Sequence, residues 1–193
     1  ISAMRTLQFG PILASRLLPS DVVAVERFGS LKEASCKELA LGALRRASPR
    51  RRAEFATGRE CAREACKLLG VACDEIGIGP AQEPMWPHGV VGSITHCALY
   101  TMAAVARFGA YRSIGIDAEP NAPLPEEVRD LVISDQEWHS LDRGGLGAPH
   151  WGRLIFCAKE AVFKAWYPLC NTWLDFQDVH IAISSDSGSF DAT

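Results

Sequence analysis

One segment of the 193-residue chain, residues 151–166, constrains the fold more than any other. The apolar residues on one helical face of this segment are Leu154, Ile155, Ala158, Val162, Ala165 and Trp166. Phe156 and Phe163 lie on the other side, close to Glu160. Because a helix that is apolar on two sides is sandwiched between layers, the sequence predicts that Glu160 is partly buried. A buried carboxylate needs a cation or hydrogen bonds.

A second helix is predicted at Pro49–Leu69. Ser48 is a good N-cap, proline suits the first helical position, and Gly70 ends the run. A basic stripe along this helix is formed by Arg52, Arg59, Arg63 and Lys67. Guanidinium groups match phosphate oxygens in pairs, so this stripe could bind a phosphomonoester. The alternative is solvated ion pairing with Glu60 and Glu64, which lie within one helical turn.

Strand patterns flank this helical framework. Residues 99–108 and 111–118 read as two strands joined by a hairpin turn at Gly109-Ala110. A short helix is expected over residues 125–135 and a glycine-rich loop over residues 142–149. Residues 178–184 alternate like a strand, and the Ser/Asp/Gly-rich tail after them reads as loop.

Three carboxylates and two lysines form the strongest chemical pattern. If the strand continues past residue 118, Asp117 and Glu119 project from one face and repel each other unless a cation such as Mg²⁺ lies between them. Lys159 and Lys164 flank Glu160, and acids with lysines around one point suit phosphate chemistry. The alternatives are two solvated acids at a strand end and a surface ion pair between Glu160 and Lys164.

A loop before the predicted strand pair carries further anion-binding groups. Ser93, Thr95 and the titratable His96 offer hydroxyls and a ring nitrogen beside exposed backbone N–H groups. A structural histidine is the alternative. The serine-hydrolase elbow, the dinucleotide fingerprint and the ATP-binding P-loop sequence are all missing from the chain.

Composition narrows the function classes. The net charge is −3, from 20 basic and 23 acidic residues, which weakens the case for nucleic-acid or membrane-surface binding. No stretch approaches the roughly 18–20 apolar residues of a membrane span. Seven cysteines without a Cys-x-x-Cys pattern favour free thiols in a reducing cytoplasm.

Taken in order, these motifs resemble the 4′-phosphopantetheinyl transferases, and among them the monomeric, actinobacterial type that activates carrier proteins of siderophore, polyketide and lipid pathways. The stretches that carry the resemblance are Phe55-Ala56-Thr57-Gly58-Arg59-Glu60-Cys61-Ala62-Arg63, Glu83-Pro84-Met85-Trp86-Pro87, Gly92-Ser93-Ile94-Thr95-His96, Gly115-Ile116-Asp117-Ala118-Glu119 and Phe156-Cys157-Ala158-Lys159-Glu160-Ala161-Val162-Phe163-Lys164. The last two are specific in their order and separation. The sequence departs from the family at Ile78–Gln82, where a glycine and an upstream lysine of many members are missing.

The resemblance implies an α+β fold of two pseudo-symmetric α/β halves, residues 1–118 and residues 119–193, with a ligand cleft between them. The second half looks shorter than in typical members. Asp117, Glu119 and Glu160 match the metal ligands, for Mg²⁺ or alternatively Mn²⁺. The positions that match coenzyme A contacts are Arg51, Arg59, Ser93, Thr95, His96, Lys159 and Lys164.

The resemblance also implies a reaction, in which the phosphopantetheine arm of coenzyme A passes to a serine of an acyl or peptidyl carrier protein and 3′,5′-ADP is released. Glu160 would take the serine proton, Lys164 would stabilise the departing phosphate, and Asp117 would complete the catalytic set. Two rival interpretations remain. One is a metal-dependent phosphohydrolase or nuclease, and the other is a coenzyme A-binding module without activity.

Overall fold

The computed structural model describes residues 14–29, 44, 47–142, 150–184 and 187–193. The helices are α1 Ala14–Leu17, α2 Pro49–Leu68, α3 Glu126–Val132, α4 Asp135–Asp142 and α5 Trp151–Cys170. The strands are β1 Val23–Phe28, β2 Gly77–Ile78, β3 Pro84–Met85, β4 Val90–Cys97, β5 Tyr100–Arg107, β6 Ile181–Ser184 and β7 Ser189–Ala192. A 3₁₀ turn covers Phe176–Asp178.

The first half of the chain is built on an antiparallel sheet with the strand order β1-β5-β4. Helix α2 covers one face, where Cys61, Ala65 and Val105 are fully buried in a common core. The predicted helix is confirmed: the Ser48 hydroxyl accepts from the Arg51 backbone N–H at 3.2 Å, and the chain turns away at Gly70 with φ +75°. A glycine at this position ends a helix because it adopts positive φ without steric cost.

The hairpin predicted at Gly109-Ala110 is wrong. Strand β5 pairs instead with the preceding strand β4, and the chain reverses at Ala98-Leu99 between Cys97 and Tyr100. Since β1 occupies the other edge of β5, that strand has no edge left for residues 112–118. These residues run extended along the described part of the chain without joining a strand ladder.

This extended segment lies on the face of the sheet opposite α2. Ile114 and Ile116 are buried there against Met102, Ala104 and Ala106 of β5. Alternate residues of β5 therefore support two layers, which is the arrangement that a central strand with both faces covered requires. The segment thereby carries Asp117 to the boundary between the sheet and α5.

Helix α5 organises the second half of the chain. Its Ile155 is fully buried with Val132 and Ile133, and its Ala158 packs on Val179 and Ile181. The prediction of a long helix over residues 151–166 is confirmed, and the helix continues to Cys170, where Asn171 ends it with φ 49°.

Two local predictions in this half need correction. The helix expected over residues 125–135 ends at Val132, because Ile133 takes an extended conformation, and a second helix that was not predicted, α4, begins at Asp135. The tail is not loop alone: β7 pairs antiparallel with β6, joining Ile181 to Ala192. Of the expected loop at residues 142–149, residues 143–149 lie outside the described residues. None of the described helices combines the length and apolarity needed to cross a membrane.

Candidate active site

A cleft of about 490 Å³ opens between α2, β4 and α5. The residues lining it that carry the argument below are Arg51, Arg59, Ser93, Thr95, His96, Asp117, Glu160, Phe163, Lys164 and Trp173. It therefore gathers, from positions more than a hundred residues apart, eight of the ten residues that the sequence singled out. Glu119 and Lys159 do not line this cleft.

One end of the cleft holds a basic group. The Arg51 guanidinium lies 2.5 Å from Nε2 of His96, and Nδ1 of the same ring lies 3.6 Å from a carboxylate oxygen of Glu54. An arginine only donates, so Nε2 accepts and the ring proton sits on Nδ1 facing Glu54. Burial lowers the pKa of His96, the Glu54 carboxylate opposes this, and the charges of Arg51 and Lys164 add to the lowering. The net shift favours the neutral ring, with the positive charge of the pair on Arg51.

Arg59 is a buried part of the cleft wall. Its guanidinium donates to the backbone oxygen of Gly77 at 3.3 Å and lies over the Phe55 ring, 4.5 Å from the ring centre. Only 4% of the residue is exposed. The sequence offered Glu60 and Glu64 as partners for the basic stripe. Both acids bind Arg27 of β1 in the structure, at 2.7 and 2.9 Å.

The hydroxyls of Ser93 and Thr95 fasten the extended segment to β4. The Ser93 hydroxyl accepts from the Ile116 backbone N–H at 3.2 Å. The Thr95 hydroxyl accepts from the Ala118 backbone N–H at 3.0 Å and donates to Asp117 at 3.2 Å. These bonds replace the strand ladder that residues 112–118 do not form, and they place Asp117 in the cleft.

The other end of the cleft combines acids with a lysine. The Lys164 ammonium donates to Asp117 Oδ1 at 2.6 Å and to the backbone oxygen of Ile116 at 3.3 Å. Glu160 lies one helical turn before Lys164, and burial and the nearby Asp117 carboxylate raise its pKa against the opposing charge of Lys164. Glu160 is half-buried, as the sequence predicts. A carboxylate with a raised pKa accepts a proton more readily at neutral pH.

Glu119 lies beside this group rather than in the cleft. Its carboxylate accepts from the Arg153 guanidinium at 3.2 Å and lines a neighbouring hollow of about 450 Å³ together with Arg51 and His96. Burial and the Asp117 carboxylate raise the pKa of Glu119, and Arg153 opposes them. The two acids therefore interact, although the strand that was expected to hold them on one face does not form.

The fit of these acids to a divalent cation rests on their donor chemistry. No group of three side chains in metal-binding geometry exists within the described residues. Asp117 Oδ2, however, is buried without a hydrogen-bond partner among the same residues. The Asp117 carboxylate also raises the pKa values of Glu119 and Glu160, and a divalent cation would relieve this repulsion between the ionised acids. Carboxylate oxygens are ligands that Mg²⁺ prefers, so the three acids fit such an ion.

The structure brings Lys159 to a different place. The residue is 2% exposed, and its ammonium donates to Glu137 at 2.9 Å, to the Val132 oxygen at 2.7 Å and to the Phe176 oxygen at 2.8 Å. An ammonium has three donors, so all of them are used inside the protein. Lys164 alone of the two lysines faces the acids of the cleft.

Two contributors to the site were missed by sequence reasoning, Trp173 and Arg153. The Trp173 ring lines the cleft with its centre 4.9 Å from that of Phe163, the ring that the sequence had placed close to Glu160. Arg153 was not singled out, although it fixes Glu119 and donates to the oxygens of Ala122 and Pro123. Its position two turns before Glu160 on the same helix is the signal that could have pointed to it.

Two models of a known protein family match the chain. Residues 39–106 match the model of the 4′-phosphopantetheinyl transferase N-terminal domain, and residues 113–190 match that of the 4′-phosphopantetheinyl transferase superfamily. The chain is 49% identical over 142 residues to the 4′-phosphopantetheinyl transferase PptT of Mycobacterium tuberculosis, covering 74% of this chain and 63% of the relative.

Two further relatives extend the comparison. The transferase Npt of Nocardia iowensis is 48% identical over 74% of this chain and 64% of its own length. Enterobactin synthase component D of Escherichia coli K12 is 36% identical over 63% of this chain and 58% of its own length. The chain thus spans under two thirds of the length of the relatives it matches. It belongs to the 4′-phosphopantetheinyl transferase superfamily, nearest in sequence to actinobacterial members.

Proposed function

We propose that the chain transfers the 4′-phosphopantetheine arm of coenzyme A to a serine of an acyl or peptidyl carrier protein and releases 3′,5′-ADP. The observation that carries the proposal is the single cleft that joins the Arg51–His96 pair to the Asp117, Glu160 and Lys164 group. A ligand with phosphate at both places fits such a cleft. Relatives at 48–49% identity carry the name of this transferase.

Coenzyme A supplies phosphate at two points. We place its 3′-phosphate against Arg51 and Arg59, where guanidinium groups are held by His96 and by the Phe55 ring. The pyrophosphate then reaches Lys164. In this arrangement the ligand lies between residues 1–118 and residues 119–193, taken as pseudo-symmetric halves.

The transfer step moves one phosphoryl group and one proton. The serine oxygen attacks the phosphorus that bears the pantetheine arm, a new phosphorus–oxygen bond forms, and the bond to the ADP oxygen breaks. Glu160 accepts the serine proton, which its raised pKa favours. Lys164, held by Asp117 at 2.6 Å, neutralises the charge that develops on the leaving phosphate.

Asp117, Glu119 and Glu160 would hold Mg²⁺, or alternatively Mn²⁺. The ion, when bound, neutralises pyrophosphate oxygens and orients them. Before it binds, Lys164 and Arg153 balance the charge of Asp117 and Glu119. Ser93 and Thr95 position the Asp117 segment. Lys159 is left out of the phosphate site because its donors are used elsewhere.

We also propose that the enzyme is a monomer, as the resemblance to the monomeric type of the family implies. The six described cysteines are free thiols, which agrees with a reducing cytoplasm.

Intact-mass analysis of an apo carrier protein tests the function. Incubation with the chain, coenzyme A and Mg²⁺ is expected to add one phosphopantetheine to the carrier, and a chelator or Glu160→Gln is expected to abolish the gain. Hydrolysis of coenzyme A without carrier modification would indicate the phosphohydrolase. Binding of coenzyme A with no turnover would indicate the inactive binding module.

A further inference from the structure

A buried ion pair lies behind the cleft, between Glu137 of α4 and Lys159 of α5. Its nitrogen and oxygen are 2.9 Å apart, and the side chains are 0% and 1% exposed. Taking two charges out of water costs several kcal/mol each, so a pair this deep requires many further hydrogen bonds. The structure supplies them.

Every oxygen of the Glu137 carboxylate is used. One oxygen accepts from the backbone N–H and the hydroxyl of Ser134, at 2.8 and 2.9 Å, and from Lys159. The other accepts from the Ile181 backbone N–H at 2.7 Å. With the two backbone oxygens that Lys159 holds, the pair ties together the end of α3, helices α4 and α5, the 3₁₀ turn and β6.

Lys159 immediately precedes Glu160 in α5. Because the Lys159 ammonium is fixed at three points, it sets both the rotation of α5 about its axis and its position along that axis. Glu160 and Lys164, four residues apart, share the neighbouring face, and Lys164 reaches Asp117 from there. Lys159 and Glu160 also line a common cavity of about 240 Å³.

We propose that Glu137 is a positioning residue: through Lys159 it holds α5 in the rotation that presents Glu160 and Lys164 to Asp117. The proposal rests on the proposed transferase function. Glu137 touches no residue of the cleft wall in the contacts described above, so its effect on the reaction passes through Lys159 and the helix backbone.

Four variants test this role: Glu137→Gln, Lys159→Met, the double variant that combines them, and the matched control Ile155→Val. The control removes one methyl group from the buried face of the same helix and leaves the pair intact. Each is measured for its thermal midpoint and for kcat and KM of transfer from coenzyme A to an apo carrier.

Glu137→Gln and Lys159→Met are expected to lower kcat about tenfold or more, because misplacement by about 1 Å costs up to a hundredfold. KM for coenzyme A should change by less than about threefold, since the Arg51 end is untouched. Ile155→Val should lower the thermal midpoint relative to the wild type and keep kcat within about twofold of the wild-type value. The double variant should recover much of the midpoint, because no unpaired charge stays buried, while kcat stays low.

Two results would overturn the proposal. One is a kcat for the single variants that matches the control at comparable stability, and the other is a double variant in which kcat recovers with the midpoint. If all three pair variants fail to fold, Ser134→Ala decides: it weakens the pair without removing a charge, and it should lower kcat with KM unchanged. A wild-type chain that modifies no carrier would refute the transferase function itself.

Discussion

A methyl group at Gly115 should separate Asp117 from Lys164 in the proposed active site. A Cβ built there would lie 1.8 Å from the backbone oxygen of Ala161 and 2.9 Å from the backbone nitrogen of Ala165, both in α5. Ordinary contact begins at 3.4 Å, so the segment and the helix must move apart by about 1.6 Å in Gly115→Ala. These are backbone atoms of a helix, and no side-chain rotation relieves the clash.

The same displacement lengthens the 2.6 Å bond between Lys164 and Asp117 beyond hydrogen-bond range. Since about 1 Å of misplacement costs up to a hundredfold in rate, kcat for Gly115→Ala should fall about a hundredfold. Overpacking should also cost about 1–3 kcal/mol of unfolding free energy. The assay is steady-state transfer to an apo carrier, paired with chemical denaturation.

The control is Gly152→Ala, near the N-terminal end of α5. Its Cβ would meet the end of the Ile133 side chain at 3.1 Å, and a side chain yields more readily than backbone. Its kcat should stay near that of the wild type. A Gly115→Ala enzyme with wild-type kcat would refute the claim that contact between α5 and this segment sets the catalytic geometry.

Three further outcomes follow from the site. Arg51→Ala should raise KM for coenzyme A about tenfold or more but leave KM for dephospho-coenzyme A unchanged, and an equal rise for both would contradict the 3′-phosphate contact. Thr95→Val should lower the free energy of unfolding by about 1–3 kcal/mol in chemical denaturation, because the Ala118 N–H loses its partner and Asp117 loses one of its hydrogen bonds. Although burial acts to raise it, hydrogen bonds from Lys159 and Ser134 hold the pKa of Glu137 below its ordinary value. The stabilisation that ionised Glu137 contributes is therefore complete above about pH 4.3 and is lost as the pH falls through the folded-state pKa. In urea denaturation, the free energy of unfolding of Glu137→Gln should fall less steeply with decreasing pH than that of the wild type. An equally steep fall in both proteins would contradict the role of the pair.

Both long helices could be predicted from the sequence because their signals are local. Ser48 and Gly70 mark the ends of α2, and the apolar periodicity of residues 151–166 defines α5. The misplaced hairpin shows the opposite case. Gly109-Ala110 resembles a turn, but whether residues 112–118 pair depends on the edges of β5, which β1 and β4 already occupy. Which edges of a strand are already paired depends on the whole sheet and cannot be predicted from a short sequence pattern.

The site shows the same division between local and long-range information. Glu160 and Lys164 are four residues apart and therefore share a helix face, which the sequence could establish. Lys159 is five residues from Lys164, about 140° around the helix, so the two lysines point apart. Glu137, the partner of Lys159, is separated from it by 22 residues and lies in a helix that the sequence did not predict. The pair between Glu137 and Lys159 joins five elements, so it could be identified only from the folded structure.

The most direct measurement of the central claim is a structure of this chain with coenzyme A and Mg²⁺ bound. The account predicts the 3′-phosphate within hydrogen-bond distance of Arg51, the pyrophosphate beside Lys164, and a cation contacting an oxygen of Asp117. Coenzyme A bound outside the cleft, or with its pyrophosphate remote from both Glu160 and Lys164, would contradict it.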